Sequence, residues 1–429
     1  MKKISAITLG CKVNQYESEA ILRQFSQKGY EIDEDPTKAD IIVVNSCTVT
    51  SVSAGKSRQA VRKAKKNNPD AIVILTGCYS QVDYKNACDI FEADIITGTN
   101  DKDKIVEYVE SYIKNKNRIL IHTEQIDSFI DDLPTPVSGS RTRAVLKIQD
   151  GCDNYCSYCI IPYARGPVRS REYNDVLLRM GGLAKAGYKE TVITGIHLAS
   201  YGKGTNKDLV DLLEDIDKEY PEMKIRLGSM DPSFLNEEKI IRLSQIKNLC
   251  KHYHLSLQSG CNETLRRMNR KYTVEYYAKV SNLLKQHIPD VSLTTDIIVG
   301  FPGETQEEFQ LTTDFIKSIG FYRLHVFPYS VREGTKASKM PDMVTKNEKE
   351  ARSKFLTDIN RELMEKFHKR FMGREMKVLF ETKVTGCEGY FEGLSDNYIR
   401  IISDNPDITQ GEFYNVTLFE CKGDYVIAK

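Results

Sequence analysis

The 429-residue chain has no apolar run of about 18 residues, which is the length that a membrane-spanning helix requires. Its first residues, Met1-Lys2-Lys3-Ile4, lack the apolar core of a signal peptide and lead directly into a strand-like segment. The 11 cysteines are too few and too scattered for a disulfide scaffold. These absences predict a reduced, cytoplasmic protein without a membrane partner. A net charge of +1 leaves nucleic-acid binding to be judged from the distribution of charge.

Three closely spaced cysteines are the most informative residues of the chain. Cys152, Cys156 and Cys159 follow the pattern Cys-x3-Cys-x2-Cys. Three thiolates can hold three irons of a cubane cluster and leave the fourth iron open for a substrate. Zinc is the main alternative, since two of these cysteines form a Cys-x2-Cys pair, but no second Cys or His pair follows nearby. The pattern therefore favours an iron–sulfur cluster.

Residues 1–125 alternate strand-like and helix-like segments, which predicts a small parallel α/β domain. The helix-like segments include Glu17–Lys28, and the strand-like runs are Ile4–Leu9, Ile41–Asn45, Ile72–Thr76 and Asp94–Thr97. Cys11, Cys47 and Cys78 each follow one of the first three strands. Because the carboxyl ends of parallel strands share one crevice, these cysteines can form a second set of three thiolates. The alternative is that they are buried as small hydrophobic residues. We interpret the other five as structural, namely Cys88, Cys250, Cys261, Cys387 and Cys421.

A run of positive charge follows the second of these cysteines. It carries six cations and no acidic residue, and the cations are Lys56, Arg58, Arg62, Lys63, Lys65 and Lys66. Such a run is either a solvated helix face or a contact surface for phosphates. The neighbouring Ala54-Gly55-Lys56-Ser57 resembles the end of a nucleotide-binding loop. We predict no such loop, because the first glycine of that motif is replaced by Thr50.

A polar, proline-containing segment at residues 126–140 predicts a linker to a second domain, residues 141–371. That domain has helix patterns such as Val274–His287 and Thr305–Ile319 between six strand patterns. The strand patterns are Ala144–Gln149, Thr191–Ile196, Lys224–Ser229, Tyr253–Leu257, Ser292–Val299 and Leu324–Tyr329. Six β/α repeats indicate a parallel barrel or part of one. The Cys152–Cys159 loop follows the first strand, at the end where such barrels carry their sites.

Other polar residues and glycines at these strand ends are candidates for binding the cofactor. They are Ser256, Gln258, Asp296, Gly300 and Gly303, together with the aromatic Tyr158 before the last cysteine of the loop. A turn or a helix cap is the alternative for each. His197 is either catalytic or structural. Arg165, Arg169 and Arg171 are candidates for contacts to RNA phosphates or to a cofactor carboxylate, with solvated surface as the alternative.

The end of the chain predicts a long amphipathic helix, Lys346–Phe371, and then a small β-barrel over residues 372–429. Four strand patterns support the barrel: Met376–Phe380, Tyr398–Ile402, Phe413–Leu418 and Tyr425–Ala428. From Met372 onward the chain has six basic and ten acidic residues. This charge is opposite to that expected of an RNA-binding barrel, so a structural cap is an equal alternative.

With two sets of three cysteines and a terminal β-barrel, the chain resembles the radical S-adenosylmethionine methylthiotransferases over almost its whole length. The resemblance implies an N-terminal cluster domain, a partial six-unit barrel and a terminal barrel called TRAM. The family's ligand pattern falls on all six residues, Cys11, Cys47, Cys78, Cys152, Cys156 and Cys159. The segment Thr8–Glu17, with Lys12 after the first cysteine, resembles the branch that acts on N6-threonylcarbamoyladenosine in tRNA. The isopentenyladenosine and ribosomal-protein branches usually differ there.

The resemblance implies two 4Fe–4S clusters and S-adenosylmethionine as cofactors. It implies that a 5′-deoxyadenosyl radical activates C2 of the adenine at position 37 of the anticodon loop, which then receives a methylthio group. An electron-donor protein and a sulfur source are also implied. Alternatives are isopentenyladenosine or a ribosomal-protein aspartate as substrate, and a non-catalytic iron–sulfur sensor or RNA-binding protein. A cobalamin-binding N-terminal domain is disfavoured, because no Asp-x-His-x-x-Gly motif occurs.

Overall fold

A computed structural model describes residues 1–123, 133–136 and 142–429. The first unit is a six-stranded, wholly parallel sheet in the order β2-β1-β3-β4-β5-β6. Its strands are β1 (Lys3–Thr8), β2 (Glu31–Ile32), β3 (Ile41–Ser46), β4 (Ile72–Gly77), β5 (Ile95–Ile96) and β6 (Ile119–Leu120). Its helices are α1 (Lys12–Gln27), α2 (Ser51–Asn67), α3 (Cys78–Val82), α4 (Tyr84–Cys88) and α5 (Ile105–Asn115). The predicted α/β class is confirmed.

The central strands β3 and β4 are apolar along most of their length because both of their faces are buried. Each fully buried Val or Ile there contributes roughly 1.5–3 kcal/mol relative to exposure. The strands place Cys11, Cys47 and Cys78 just past the carboxyl ends of three neighbouring strands, β1, β3 and β4.

The second unit contains six parallel strands in chain order, β7, β9, β10, β11, β12 and β13. A short antiparallel strand, β8, pairs with the end of β7. The strands are β7 (Arg143–Asp150), β8 (Arg169–Ser170), β9 (Glu190–Gly195), β10 (Lys224–Leu227), β11 (His252–His254), β12 (Ser292–Val299) and β13 (Arg323–Pro328). The helices are α6 (Ile161–Arg165), α7 (Tyr173–Lys185), α8 (Leu209–Glu219), α9 (Glu237–Gln245), α10 (Asn262–Arg267), α11 (Val274–His287), α12 (Gln306–Ile319) and α13 (Lys346–Lys369). Parallel bridges such as Ile225 to Leu249 join β10 to the chain just before β11. This is the expected partial barrel.

The third unit is a closed five-stranded barrel in the order β14-β15-β16-β18-β17. Its strands are β14 (Glu375–Lys383), β15 (Phe391–Ser395), β16 (Arg400–Ser403), β17 (Phe413–Lys422) and β18 (Tyr425–Ala428). It packs on the amino ends of the β/α strands, where Arg143 binds Glu381 at 2.8 Å and Lys224 binds Asp396 at 3.0 Å. The ring of Tyr398 stacks on that of His252 with centroids 4.1 Å apart. The C-terminal barrel therefore lies at the opposite end of the strands from the Cys152–Cys159 loop.

Two features differ from the sequence-based predictions. Helix α1 begins five residues earlier than expected, directly after Cys11, because Val13 and Tyr16 extend its buried face. The short strands β2, β6 and β8 and the barrel strand β15 were not anticipated. Of the predicted linker, only residues 133–136 lie within the described part of the chain. Among the helices described, none has the length and apolar character needed to cross a bilayer.

Candidate active site

The Cys152–Cys159 loop leaves the carboxyl end of β7 through Gly151. This glycine has a φ of +73°, and a Cβ atom there would lie 1.8 Å from the carbonyl oxygen of Pro167. The backbone N–H of Cys152 donates to the carbonyl oxygen of Gly166 at 3.1 Å. Further along, the N–H of Ser157 donates to the carbonyl oxygen of Met268 at 3.0 Å. The loop is thus fixed by backbone contacts on both sides.

Arg270 connects this loop to two other strand ends of the barrel. Its guanidinium donates to Cys156 Sγ at 3.2 Å, to a carboxylate oxygen of Asp231 at 3.0 Å and to the carbonyl oxygen of Ser256 at 3.3 Å. Burial opposes the charge on Arg270, but Tyr158, Tyr272, Cys156 and Asp231 together raise its pKa well above the usual value. Sequence reasoning missed both Arg270 and Asp231. The position of Asp231 soon after β10 was the available signal, by the same strand-end rule that identified Ser256.

Cys11, Cys47 and Cys78 come together as predicted from topology. The Asn14 side chain ties β1 to β3, donating to the carbonyl oxygens of Leu9 at 2.7 Å and Ser46 at 3.0 Å. A Cβ atom on Gly10 would lie 2.8 Å from Cys47 Sγ, so the loop before Cys11 touches the second cysteine. Burial raises the pKa of both Cys11 and Cys47, and the neighbouring Cys78 raises both further.

Solvent access differs among these three cysteines. Cys11 is exposed, whereas Cys47 and Cys78 are buried. Cys11 therefore gives the second set of thiols one side that is open to solvent.

Arg165 joins the two sets of cysteines. It ends α6, just after the Cys152–Cys159 loop, and is completely buried. Its Nε donates to Cys78 Sγ at 3.3 Å, and its terminal nitrogens bind Glu17 at 2.6 Å and Asp150 at 3.1 Å. Burial opposes its charge, but Cys78, Glu17 and Asp150 raise the pKa of Arg165. One arginine therefore contacts a cysteine of the first unit and a carboxylate of the second.

Glu17 on α1 is the acidic centre of this junction. It is buried and binds Arg165, Lys102 and Lys147, the last at 2.8 Å. Burial alone raises the pKa of a carboxyl group, but these three cations hold the pKa of Glu17 well below its usual range. The charged cluster fastens α1 of the first unit to β7 of the second.

The thiols of the Cys152–Cys159 loop are poor acids in their surroundings. Burial raises the pKa of Cys152 to about 11 and that of Cys159 to about 12. These thiols need a bound cation to become thiolates at neutral pH. Within the described ranges, no group of three or more His, Cys, Asp or Glu side chains has the geometry of a metal-ion site. The assignment of the six cysteines as ligands stays a prediction.

The predicted cofactor-binding residues lie at the same rim, with different local roles. Tyr158 packs edge-on against Phe301, with ring centroids 6.4 Å apart. Gln258 has an unusual φ of +72° for a residue with a side chain, and its backbone bridges to β12. Asp296 lies 3.4 Å from a ring nitrogen of His254. Gly300 and Gly303 have φ values of +67° and +74°, so the turn before α12 requires them regardless of any ligand.

The other candidates divide into residues near the loop and residues engaged elsewhere. His197 lies beside the loop, with its ring 2.9 Å from the Asn154 amide and 3.7 Å from Asp231. Arg165 and Arg171 are buried and bind Glu17 and the partly exposed Asp175, so the solvated-surface interpretation is wrong for both. Arg169 donates to the carbonyl oxygen of Arg165 at 2.8 Å. The Ala54–Ser57 segment lies inside α2, which agrees with the absence of a nucleotide-binding loop.

Comparison with known proteins identifies the family. The chain is 39% identical to the threonylcarbamoyladenosine tRNA methylthiotransferase MtaB of Bacillus subtilis, over 99% of this chain and 95% of that protein. It is 34% identical to the protein of the same name in Thermotoga maritima, over 100% and 99% of the two chains. The chain belongs to the radical S-adenosylmethionine tRNA methylthiotransferases. The predicted enzyme class and cofactors, S-adenosylmethionine and 4Fe–4S clusters, are confirmed by the family to which the chain belongs.

The methylthiotransferase family also includes relatives with another substrate in their name. The tRNA-2-methylthio-N(6)-dimethylallyladenosine synthase of Natranaerobius thermophilus is 32% identical over 89% of this chain and 86% of that protein. Residues 3–98 match the uncharacterized protein family UPF0004, and residues 146–316 match the radical SAM superfamily. The first matched segment contains Cys11, Cys47 and Cys78, and the second contains Cys152, Cys156 and Cys159.

Solved structures support the fold of this methylthiotransferase. The radical S-adenosylmethionine methyltransferase TsrM of Kitasatospora setae superposes with a TM-score of 0.58 at 13% identity, over 79% of this chain and 77% of that chain. The cobalamin-dependent radical enzyme OxsB gives a TM-score of 0.56 at 12% identity, over 85% of this chain and 56% of that chain. At such low identity the similarity is one of fold alone.

Proposed function

We propose that this enzyme adds a methylthio group to C2 of N6-threonylcarbamoyladenosine at position 37 of tRNA. The observation that carries the proposal is that each set of three cysteines has one buried arginine donating to one of its sulfurs. Arg165 donates to Cys78 and Arg270 donates to Cys156. Cationic donors to sulfur suit a thiolate-bound cluster, whose potential depends on such bonds. Because each set of cysteines has such a contact, the two sets together suit a reaction that needs two clusters.

The residues of each set have distinct proposed roles. Cys152, Cys156 and Cys159 would hold one 4Fe–4S cluster, and Cys11, Cys47 and Cys78 the other. When bound, the clusters and S-adenosylmethionine supply a 5′-deoxyadenosyl radical and the sulfur and methyl groups. Tyr158, Ser256, Gln258, Asp296, Gly300 and Gly303 are proposed to line the S-adenosylmethionine site. The protein positions the adenine between the two sets and excludes water.

The relatives support the threonylcarbamoyl substrate. Two relatives that match nearly the whole chain, from Bacillus subtilis and Thermotoga maritima, carry this substrate in their names. The segment Thr8–Glu17 resembles the same branch of the family.

The proposal is tested by mass spectrometry of nucleosides from tRNA. Anaerobically reconstituted protein is incubated with S-adenosylmethionine, a reductant and tRNA carrying threonylcarbamoyladenosine. We expect a methylthio mass gain on that nucleoside. No gain, but release of 5′-deoxyadenosine, would redirect the search to dimethylallyladenosine, the substrate in the names of other relatives, or to a ribosomal protein. Neither product from protein with intact clusters would favour a non-catalytic iron–sulfur sensor.

Two cysteine variants separate the roles of the two sets. We expect Cys156→Ala to lose both 5′-deoxyadenosine and the methylthio product, because its set activates S-adenosylmethionine. Cys78→Ala is expected to lose the methylthio product while it still releases 5′-deoxyadenosine. The exposed Cys387 provides a matched control, since Cys387→Ala should leave both products at wild-type levels. Normal methylthiolation by Cys78→Ala would contradict the assignment of the second set.

The proposed reaction also carries expectations about the enzyme's protein partners, its location and its domain boundaries. An electron-donor protein and a sulfur source are required by the proposed reaction, and a cytoplasmic location suits an enzyme that meets tRNA. We propose domain boundaries at residues 1–125, 141–371 and 372–429, with the linker at 126–140.

A further inference from the structure

One face of α2 is an exposed strip of positive charge. The helix has no acidic residue, and the strip consists of the exposed Lys56, Arg62, Lys63 and Lys66 together with the partly buried Arg58. Lys65 is not part of the strip, because it binds Asp94 at 2.9 Å. The Arg62 guanidinium lies 3.7 Å from Glu92 in solvent-exposed surroundings, where an ion pair is weak. The strip therefore keeps most of its charge available to a partner.

The strip begins at the proposed active site. Thr50 caps α2 only three residues after Cys47, and the Ser57 hydroxyl accepts the Cys47 N–H at 3.1 Å. Arg58 lies over the ring of Tyr79, 5.5 Å from its centroid, and Tyr79 directly follows Cys78. Two of the three cysteines in the second set are thus adjacent to the first cations of the strip.

The spacing of the strip suits a repeating anion. Arg58, Arg62 and Lys66 follow one another at four-residue intervals, which places them on one face in steps of about 6 Å. Together with Gly55, Gln59 and Lys63 they line a shallow groove on the surface. Cations at regular intervals along a rod match a phosphate backbone better than they match a single small anion.

The C-terminal barrel is poorly placed to bind the phosphate backbone of an RNA whose loop enters the active site. It has an excess of acidic residues, and it covers the amino ends of the β/α strands, opposite the Cys152–Cys159 loop. The start of α2 lies at the other end of these strands, where the Ser51 hydroxyl is 3.0 Å from that of Ser330, just after β13. We propose that the exposed face of α2 binds the phosphate backbone of the tRNA anticodon stem while the loop base enters the active site. This inference rests on the proposed function, because it takes tRNA as the substrate.

The experiment measures binding of an anticodon stem-loop RNA carrying threonylcarbamoyladenosine to the cluster-loaded enzyme. The test variant is the triple substitution Arg62→Gln, Lys63→Gln and Lys66→Gln, which leaves Arg58 on Tyr79. The matched control is Lys346→Gln, Lys354→Gln and Lys369→Gln on α13, whose side chains are 86%, 81% and 70% exposed. Kd is determined by fluorescence anisotropy over a range of salt concentrations. Release of 5′-deoxyadenosine without RNA checks that each protein is intact.

We expect the α2 variant to bind the stem-loop about 10- to 100-fold more weakly at low salt. Each lost phosphate contact lowers the slope of log K against log salt by roughly 0.7–0.9, so the slope should fall by about 2 to 3. The α13 variant should match wild type. If wild type binds and modifies the RNA but the α2 variant has the same Kd and slope as wild type, α2 is not the RNA-binding surface. The proposed function then still stands. If wild type with intact clusters fails to bind this RNA, the proposed function is overturned together with the surface.

Discussion

At the scale of single residues, glycine fixes the direction in which cysteines leave the strands. Gly10 and Gly151 each precede a cysteine, and each has a positive φ that side chains disfavour. At Gly151 the obstacle is also steric, because a Cβ would meet backbone atoms of Pro167 that cannot rotate away. In each Gly-Cys pair, the glycine is therefore required by the turn and the cysteine supplies the thiol.

We expect Gly151→Ala to disrupt the Cys152–Cys159 loop. The Cβ would lie 1.8 Å from the Pro167 carbonyl oxygen, so the loop must shift and its three sulfurs lose their arrangement. Iron and sulfide per chain should fall to about half of wild type, since the set on Cys11, Cys47 and Cys78 is untouched. Gly182 is the matched control, because a Cβ there meets no atom within 4 Å. Full iron content in Gly151→Ala would contradict this account of the loop.

At the scale of secondary-structure elements, the sequence predicts what depends on local pattern. The apolar runs that became β3 and β4 are readable because buried parallel strands carry few polar residues. Strand β15 escaped prediction because Glu392 and Gly393 interrupt its pattern. A Cβ on Gly393 would lie 2.3 Å from the Leu379 carbonyl oxygen, so the close approach of β14 requires this glycine.

In the candidate site, too, only the residues marked by a local sequence pattern could be predicted. The six cysteines could be found from their spacing and from their places at strand ends. The two arginines that donate to their sulfurs could not, because Arg165 and Cys78 are 87 residues apart and Arg270 and Cys156 are 114 apart. No local pattern marks a side chain whose partner is brought close only by the tertiary fold.

At the scale of the whole molecule, a buried charge cluster joins the first two units and a closed barrel covers the far end. Glu17 comes from the first unit, while Lys147 and Arg165 come from the second. Buried ion pairs add little net stability, but losing one partner leaves the others uncompensated. The position of α1 against β7, and with it the distance between the two sets of cysteines, depends on Glu17.

We expect Glu17→Gln to lower the free energy of unfolding by about 3–5 kcal/mol at pH 7, because three buried cations lose a shared counter-charge and only Lys147 and Arg165 keep Asp150 beside them. The pKa of Glu17 is lowered in the folded protein, so its contribution is complete above the unfolded value of about 4.3. As pH falls below that value, the difference between wild type and variant should shrink.

Urea denaturation of both proteins without their clusters, at several pH values, measures this difference. The control is Glu31→Gln, whose partly exposed carboxylate lies 3.6 Å from Lys3 and should change stability by less than about 1 kcal/mol. A difference between Glu17→Gln and wild type that stays constant into acid would contradict the assigned role of the carboxylate.

The same junction sets an order of events during synthesis. Cys78 and Arg165 are 87 residues apart in the chain. A ribosome that adds roughly 5–20 residues per second needs about 4 to 17 seconds to cover that distance. For this interval the nascent first unit has Cys11, Cys47 and Cys78 but not Arg165. The second set of thiols is thus complete in sequence well before the arginine that binds it has been translated.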